Sequence, residues 1–207
     1  MFKTNQNKKN DLGKFLSWIL RHGALKEGIP VGVDGFVSVN NLLEHKFVQG
    51  RFTERDIIEV VETDEKGRFA LRLNENSLDI RANQGHSLNH IQELDLKPIT
   101  SPINVTCVIH GTFLKNWEKI KSEGLHRMGR NHIHFSQDRP DCNKQISGLR
   151  KNSEIFIYIN LEAALASGLK FFCSANGVIL CPGNQKGFIE PIFFEKVCRS
   201  DGSLLKF

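Results

Sequence analysis

The chain has 207 residues, 40% hydrophobic and 25% charged: long enough for one large domain or two small ones, and of a composition that excludes a disordered or fibrous chain. Its longest apolar runs, Ile155–Ile159 and Gly177–Cys181, are too short to cross a bilayer, and Met1–Asp11 is rich in Lys and Asn without the apolar stretch of a secretory signal. The formal net charge is +5: residues 1–97 carry 14 basic and 14 acidic side chains, and residues 98–207 carry 14 and nine, with nine basic against four acidic between Lys115 and Lys151. Such a local excess is either a solvated face or a surface that attracts phosphate, and so nucleic acid or nucleotide. Five cysteines (Cys107, Cys142, Cys173, Cys181 and Cys198), an odd number with no C-x-x-C pair, argue against a zinc ribbon or disulfide framework and point to a reducing, intracellular setting, cytoplasmic or nuclear.

Asp11 can cap a first helix whose apolar positions Leu12, Phe15, Leu16, Ile19 and Leu20 follow helical spacing, and which ends near Gly23, where a missing Cβ eases a left-handed exit. Asp34-Gly35 signals a turn before a short strand, Phe36–Val39. Leu42–Phe47 and Glu54–Glu62, the latter capped by Thr53, read as helices. Arg68–Leu73 and Leu78–Ala82 flank Asn74-Glu-Asn-Ser77 as a hairpin. Three helices followed by a β-hairpin is the order of a winged helix.

The polar stretch Gln92–Pro102 contains two prolines and separates the halves, with 1–95 as the first domain, 96–102 as linker and 103–207 as the second. Val105–Ile109, Ile133–Phe135, Ile155–Ile159, Gly177–Leu180 and Phe188–Phe194 are expected as strands, Asn116–Glu123 and Leu161–Ala166 as helices. The fold class is therefore α+β, with a mostly antiparallel sheet in the second half.

Five groups of residues could carry chemistry. Arg21-His22 closes the first helix, where it either complements the helix dipole or forms an anion site: arginine offers a planar fork, histidine a proton near neutral pH. Arg81-Ala-Asn-Gln-Gly-His-Ser87 gathers donors and acceptors around Gly85, which permits close backbone approach. His110-Gly-Thr112 follows an apolar run and is expected at a strand end. His132 and His134 share one strand face by the period of two, yet find no third ligand at metal spacing, so no metal is expected. Ser174-Ala-Asn-Gly177-Val178-Ile-Leu180 reads alone as a bulge or strand start.

In combination the chain resembles the RNA 2′-phosphotransferase family, the Tpt1/KptA enzymes that remove a splice-junction 2′-phosphate from tRNA. The resemblance covers about residues 11–195. It rests on Leu16-Ser17-Trp-Ile-Leu-Arg21-His22, Asp34-Gly35, Lys66-Gly-Arg68-Phe69, Arg81–Ser87, His110-Gly-Thr112, Arg130-Asn-His-Ile-His134-Phe-Ser136, Gly148-Leu-Arg150 and Asn176-Gly-Val178-Ile-Leu180. It implies an N-terminal winged-helix RNA lobe and a C-terminal lobe of the ADP-ribosyltransferase fold that binds NAD as co-substrate. The family's essential Arg-His-Arg-Arg set would fall on Arg21, His22, Arg68 and Arg150. His110, Gly111, Thr112, His134, Ser136 and Val178 would bind NAD, and Lys66, Arg81, Gln84 and His86 would bind substrate RNA.

The resemblance further implies that the 2′-phosphate attacks the anomeric carbon of the nicotinamide ribose and releases nicotinamide. The adjacent ribose hydroxyl then attacks phosphorus, giving RNA 2′-hydroxyl and ADP-ribose 1″,2″-cyclic phosphate. His110, His134 and Val178 would stand where ADP-ribosylating toxins often have His, Tyr and Glu; a carboxylate at 178 would repel the phosphate. Two alternatives use these residues differently: a nucleic-acid ADP-ribosyltransferase that modifies terminal phosphates and stops after one step, and a non-catalytic winged-helix binder with a degenerate second lobe. The expected partner is RNA with a 2′-phosphate, tRNA foremost, with no membrane and a monomeric chain.

Overall fold

Leu12, Phe15, Leu16, Ile19 and Leu20 recur at helical spacing, and all five are buried, packing with Leu42, Ile57, Val60, Phe69 and Ile80 into one core. Each such side chain contributes about 1.5–3 kcal/mol on leaving water. The computed structural model describes residues 2–74, 77–91, 94–138, 147–150 and 152–207, as two units that divide between Leu94 and Asp95.

The first unit opens with α1 (Phe2–Trp18), which continues through a five-residue π turn, Ile19–Gly23, and a 3₁₀ turn, Ala24–Glu27. Asp11 therefore caps nothing. The helix starts nine residues earlier, and its polar first half is tied to the third helix by a Lys9–Glu59 ion pair. Nor does Gly23 supply the left-handed exit: its φ is −98°, and Gly28, at +72°, ends the helical run.

β1 (Val37–Ser38) leads into α2 (Val39–Leu43), shorter and earlier than the expected Leu42–Phe47. α3 (Glu54–Glu62) begins at a capping box, where Thr53 Oγ1 accepts from the Asp56 amide (3.3 Å) and the Asp56 carboxylate accepts from the Thr53 amide (2.7 Å). β2 (Phe69–Leu73) and β3 (Leu78–Ala82) form the hairpin, in antiparallel register Phe69↔Ala82 to Leu73↔Leu78, with β1 on the far edge of β3. Turn residues 75–76 lie outside the described residues.

In the second unit every strand pair is antiparallel. Its elements are β4 (Lys97–Ile99), β5 (Ile109–Thr112), α4 (Leu114–Glu123), β6 (Leu125–His126), β7 (Ile133–Phe135), β8 (Ile155–Ile159), α5 (Leu161–Ala166), β9 (Phe171–Cys173), β10 (Ile179–Cys181), β11 (Phe188–Ile189) and β12 (Phe194–Arg199). They form sheets β4-β9-β10-β7, β12-β8-β5 and β11-β6. The first two are joined where Ile109 and Ser136 exchange backbone hydrogen bonds of 3.0 and 2.9 Å. On β8, Ile155, Ile157 and Ile159 face the main core, while Phe156 on the other face packs with Ile109 and Leu149.

Three expectations change here. The 96–102 stretch contains β4, which pairs with β9. The strand expected at Val105–Ile109 lies at Ile109–Thr112, because its partner β8 pairs with those residues, so His110 and Gly111 are inside the strand rather than at its end. Pro191 cannot donate to a ladder and opens a 3₁₀ turn that splits Phe188–Phe194 into two strands. The helix-and-antiparallel-sheet composition is α+β, and among the described residues no helix is long and apolar enough to cross a membrane.

Candidate active site

Arg21 and His22 sit in the π turn, where the Ala24 amide bonds the Ile19 carbonyl five residues back. Such single wide turns recur at functional sites. The Arg81–Ser87 motif folds onto this turn. The Ser87 amide donates to the Arg21 carbonyl (3.0 Å), and Ser87 Oγ lies 2.9 Å from His22 Nδ1, which fixes the plane of the imidazole. Gly85 adopts φ +91°, and a Cβ there would stand 3.2 Å from Arg21 Nε. Gln84 and His86 are almost wholly buried, His86 against the Asp34-Gly35 turn.

The same motif reaches Arg68. The Asn83 amide donates to the Arg68 carbonyl (2.8 Å), and Asn83 Nδ2 donates to the Gly67 carbonyl (2.7 Å). Asp64, itself buried, pairs with the Arg68 guanidinium at 2.8 Å and accepts from the Arg68 amide. Burial, with repulsion from Arg68, holds the Lys66 ammonium below its usual range, against the pull of Asp64. The 81–87 segment thus links Arg21 and His22 to Gly67 and Arg68, residues more than 40 positions apart in sequence. Arg81 lies to the side, 3.4 Å from the Asp34 carbonyl and over the Phe36 ring at 4.8 Å.

In the second unit His110 Nδ1 lies 3.0 Å from the His134 carbonyl. A carbonyl only accepts, so Nδ1 carries the hydrogen and the neutral ring keeps its lone pair on Nε2. Burial pushes the His110 imidazole below its ordinary range; the His134 carbonyl opposes this, and repulsion by Arg150 and Arg130 adds to it. The ring is therefore neutral at pH 7, in the field of two guanidiniums.

Close packing sets Arg150 there. A Cβ on Gly148 would stand 2.6 Å from the Phe135 carbonyl, and one on Gly111 would stand 2.5 Å from Ser153 Oγ and 2.9 Å from Leu149. Ser153 clasps the Arg150 carbonyl with both its hydroxyl (2.9 Å) and its amide (3.1 Å). Thr112 is buried, and its Oγ1 accepts from Asn116 at 3.3 Å. Val178 is fully buried at the turn before β10, its amide and carbonyl both bonded to Ser174 Oγ. His110 on β5 is tied to His134 on β7 through its ring, Ser136 directly follows β7, and Val178 directly precedes β10, the strand paired with β7.

Arg130, which shares the field on His110, belongs to the Arg130-Asn-His-Ile-His134 motif but is not among the expected site residues. Burial and the neighbouring Arg150 both lower its pKa. His132 is pushed down to about 4 by burial and by Arg127. Among the described residues no cluster of His, Cys, Asp and Glu could hold a metal ion.

A family model described as RNA 2′-phosphotransferase, Tpt1/KptA family, matches residues 7–183. The chain is 46% identical over 194 residues to tRNA 2′-phosphotransferase 1 of Mus musculus, covering 92% of this chain and 77% of that one. It is 40% identical over 192 residues to the protein of the same name in Danio rerio, covering 91% and 84%. It is also 35% identical over 187 residues to a Flavobacterium johnsoniae protein named "Probable RNA 2′-phosphotransferase", covering 90% and 98%. With the match spanning both arginine-bearing units, the chain belongs to the RNA 2′-phosphotransferase, Tpt1/KptA family of enzymes.

Proposed function

We propose that this enzyme transfers an internal RNA 2′-phosphate, that of a tRNA splice junction above all, to the ADP-ribose of NAD. The products are RNA 2′-hydroxyl, nicotinamide and ADP-ribose 1″,2″-cyclic phosphate. The observation that carries the reading is the folding of the 81–87 segment onto both Arg21-His22 and Arg68 in a chain of this family. In this reading the first unit is a winged-helix RNA lobe and the second an ADP-ribosyltransferase-like lobe.

NAD supplies an activated anomeric carbon and a neighbouring hydroxyl. The donor set around His110 suits such a dinucleotide: Arg130 and Arg150 favour its pyrophosphate. The neutral imidazole, its tautomer set by His134, can accept from a ribose hydroxyl through Nε2. Gly111, packed against Ser153 and Leu149, and the buried Thr112, Ser136 and Val178 are the further residues this reading assigns to the NAD site.

The acceptor phosphate is largely dianionic near pH 7 and needs no base to become a nucleophile. In this reading Arg21 and Arg68 hold its oxygens and neutralise the charge that grows on them during displacement of the RNA 2′-oxygen, and Arg150 is a further catalytic residue. His22, its ring plane set by Ser87, moves the proton through Nε2.

Incubation with NAD and a 2′-phosphorylated oligonucleotide tests this. The expected result is one nicotinamide and one ADP-ribose cyclic phosphate per 2′-phosphate removed. Stable ADP-ribosylated nucleic acid as the end product would establish the single-step alternative instead.

A further inference from the structure

Trp18 is the residue before the π turn, and its indole is 42% exposed, whereas Phe15, Leu16, Ile19 and Leu20 around it in sequence are buried. The ring is nevertheless held. Phe15 lies against it with centroids 6.2 Å apart, and the indole occupies the space where a side chain at position 23 would start: a Cβ on Gly23 would meet Cζ2 at 2.6 Å and Cε2 and Cη2 at 2.8 Å. Gly23 has ordinary right-handed backbone angles, so glycine is needed there for the ring and not for the turn. A large apolar surface is thus fixed in place, open to solvent, within one helical turn of Arg21 and His22.

From this geometry we infer that Trp18 is a stacking shelf for a nucleobase of the RNA substrate, on a nucleotide at or next to the one that bears the 2′-phosphate. The inference rests on the reading that Arg21 and His22 hold that phosphate. Every base offers a π face to an aromatic ring, so such a contact adds affinity without demanding one sequence, and a preset ring loses little freedom on binding. Trp18 contacts the substrate base and takes no part in bond making. The spacing limits the partner: a base reaches the shelf only from a nucleotide adjoining the phosphate held one turn away.

The chain has two tryptophans, and Trp117 is buried, so Trp18 dominates any fluorescence change on contact with RNA. The test titrates 2′-phosphorylated oligonucleotides, intact or abasic at each of the three positions around the phosphate, into the wild-type protein, Trp18→Ala and Trp18→Phe. Anisotropy of a labelled strand reads binding, and melting temperature reads folding. The expected result is quenching in the wild type that disappears for one abasic position, and affinity about 5- to 100-fold weaker for Trp18→Ala. That same abasic strand should bind wild type and Trp18→Ala alike, while Trp18→Phe keeps most of the affinity. Binding without quenching, or equal affinity of Trp18→Ala and wild type for the intact strand, would overturn the shelf and leave the phosphate reading standing. Quenching with no preference for 2′-phosphate over 2′-hydroxyl would overturn the phosphate reading and keep the shelf.

Discussion

The α-carbon of Gly85 lies against the guanidinium of Arg21, so closely that a Cβ there would stand 3.2 Å from Nε and 3.3 Å from Cδ. The backbone at 85 is also left-handed, at φ +91°. Gly85→Ala should therefore lower stability by about 1–2 kcal/mol through backbone strain, and also push Arg21 out of place. Turnover of a 2′-phosphorylated RNA should fall by more than the loss of folded protein explains. Thermal unfolding measured beside turnover separates the two effects; unchanged turnover would mean that the position of Arg21 does not matter.

Arg130 and Arg150 both act on His110, and removing either charge relieves a repulsion that disfavours the imidazolium. Arg150→Ala and Arg130→Ala should each raise the His110 pKa toward its ordinary value, read by NMR titration of the ring. A His110 titration that neither substitution moves would show that the three groups do not form one electrostatic unit. If the cluster binds the dinucleotide, Arg130→Ala should also weaken NAD binding more than RNA binding.

His132 titrates near 4 in the folded protein and near 6.5 when unfolded. Between those values the unfolded chain holds the extra proton, so native stability falls as the pH drops through this window and is unaffected above it. The full loss, reached below pH 4, is about 3 kcal/mol. His110 adds to it with the same sign. Denaturant unfolding from pH 7 to pH 4 should show a shallower decline for His132→Gln than for the wild type. Parallel curves would place His132 in solvent.

Where a segment's own residues decide its structure, the sequence is legible. Leu78–Ala82, Ile133–Phe135, Ile155–Ile159 and Leu161–Ala166 form over the expected residues, and Thr53 caps α3 as read. Where a partner decides, it is not. β4 exists because β9 offers it an edge, and β5 is displaced because β8 pairs with Ile109–Thr112. The π turn at Arg21-His22 has no composition of its own and shows only in its packing, with Trp18 filling the space beside Gly23. Arg21, His22 and the 81–87 segment stand out by residue type, yet their meeting across some 60 residues is a property of the fold. Arg130 acts on His110 through its charge, and charge at a distance leaves no periodic trace in a sequence.

The most direct test of the two-step account is a single-turnover time course with Arg68→Ala. Breaking the phosphate–RNA bond builds charge on the phosphate oxygens, whereas forming the ribosyl–phosphate bond mainly requires NAD and an aimed nucleophile, so a group that mainly serves the second transition state slows that step more than the first. Arg68, held at the base of the hairpin by Asp64 and Asn83, is assigned that role. Losing one charge-assisted contact there costs about 2–4 kcal/mol, or about 30- to 1,000-fold in rate. With a labelled 2′-phosphate and rapid quenching, Arg68→Ala should accumulate ADP-ribosylated RNA before dephosphorylated RNA appears. Slow formation of product with no such build-up would contradict the assignment.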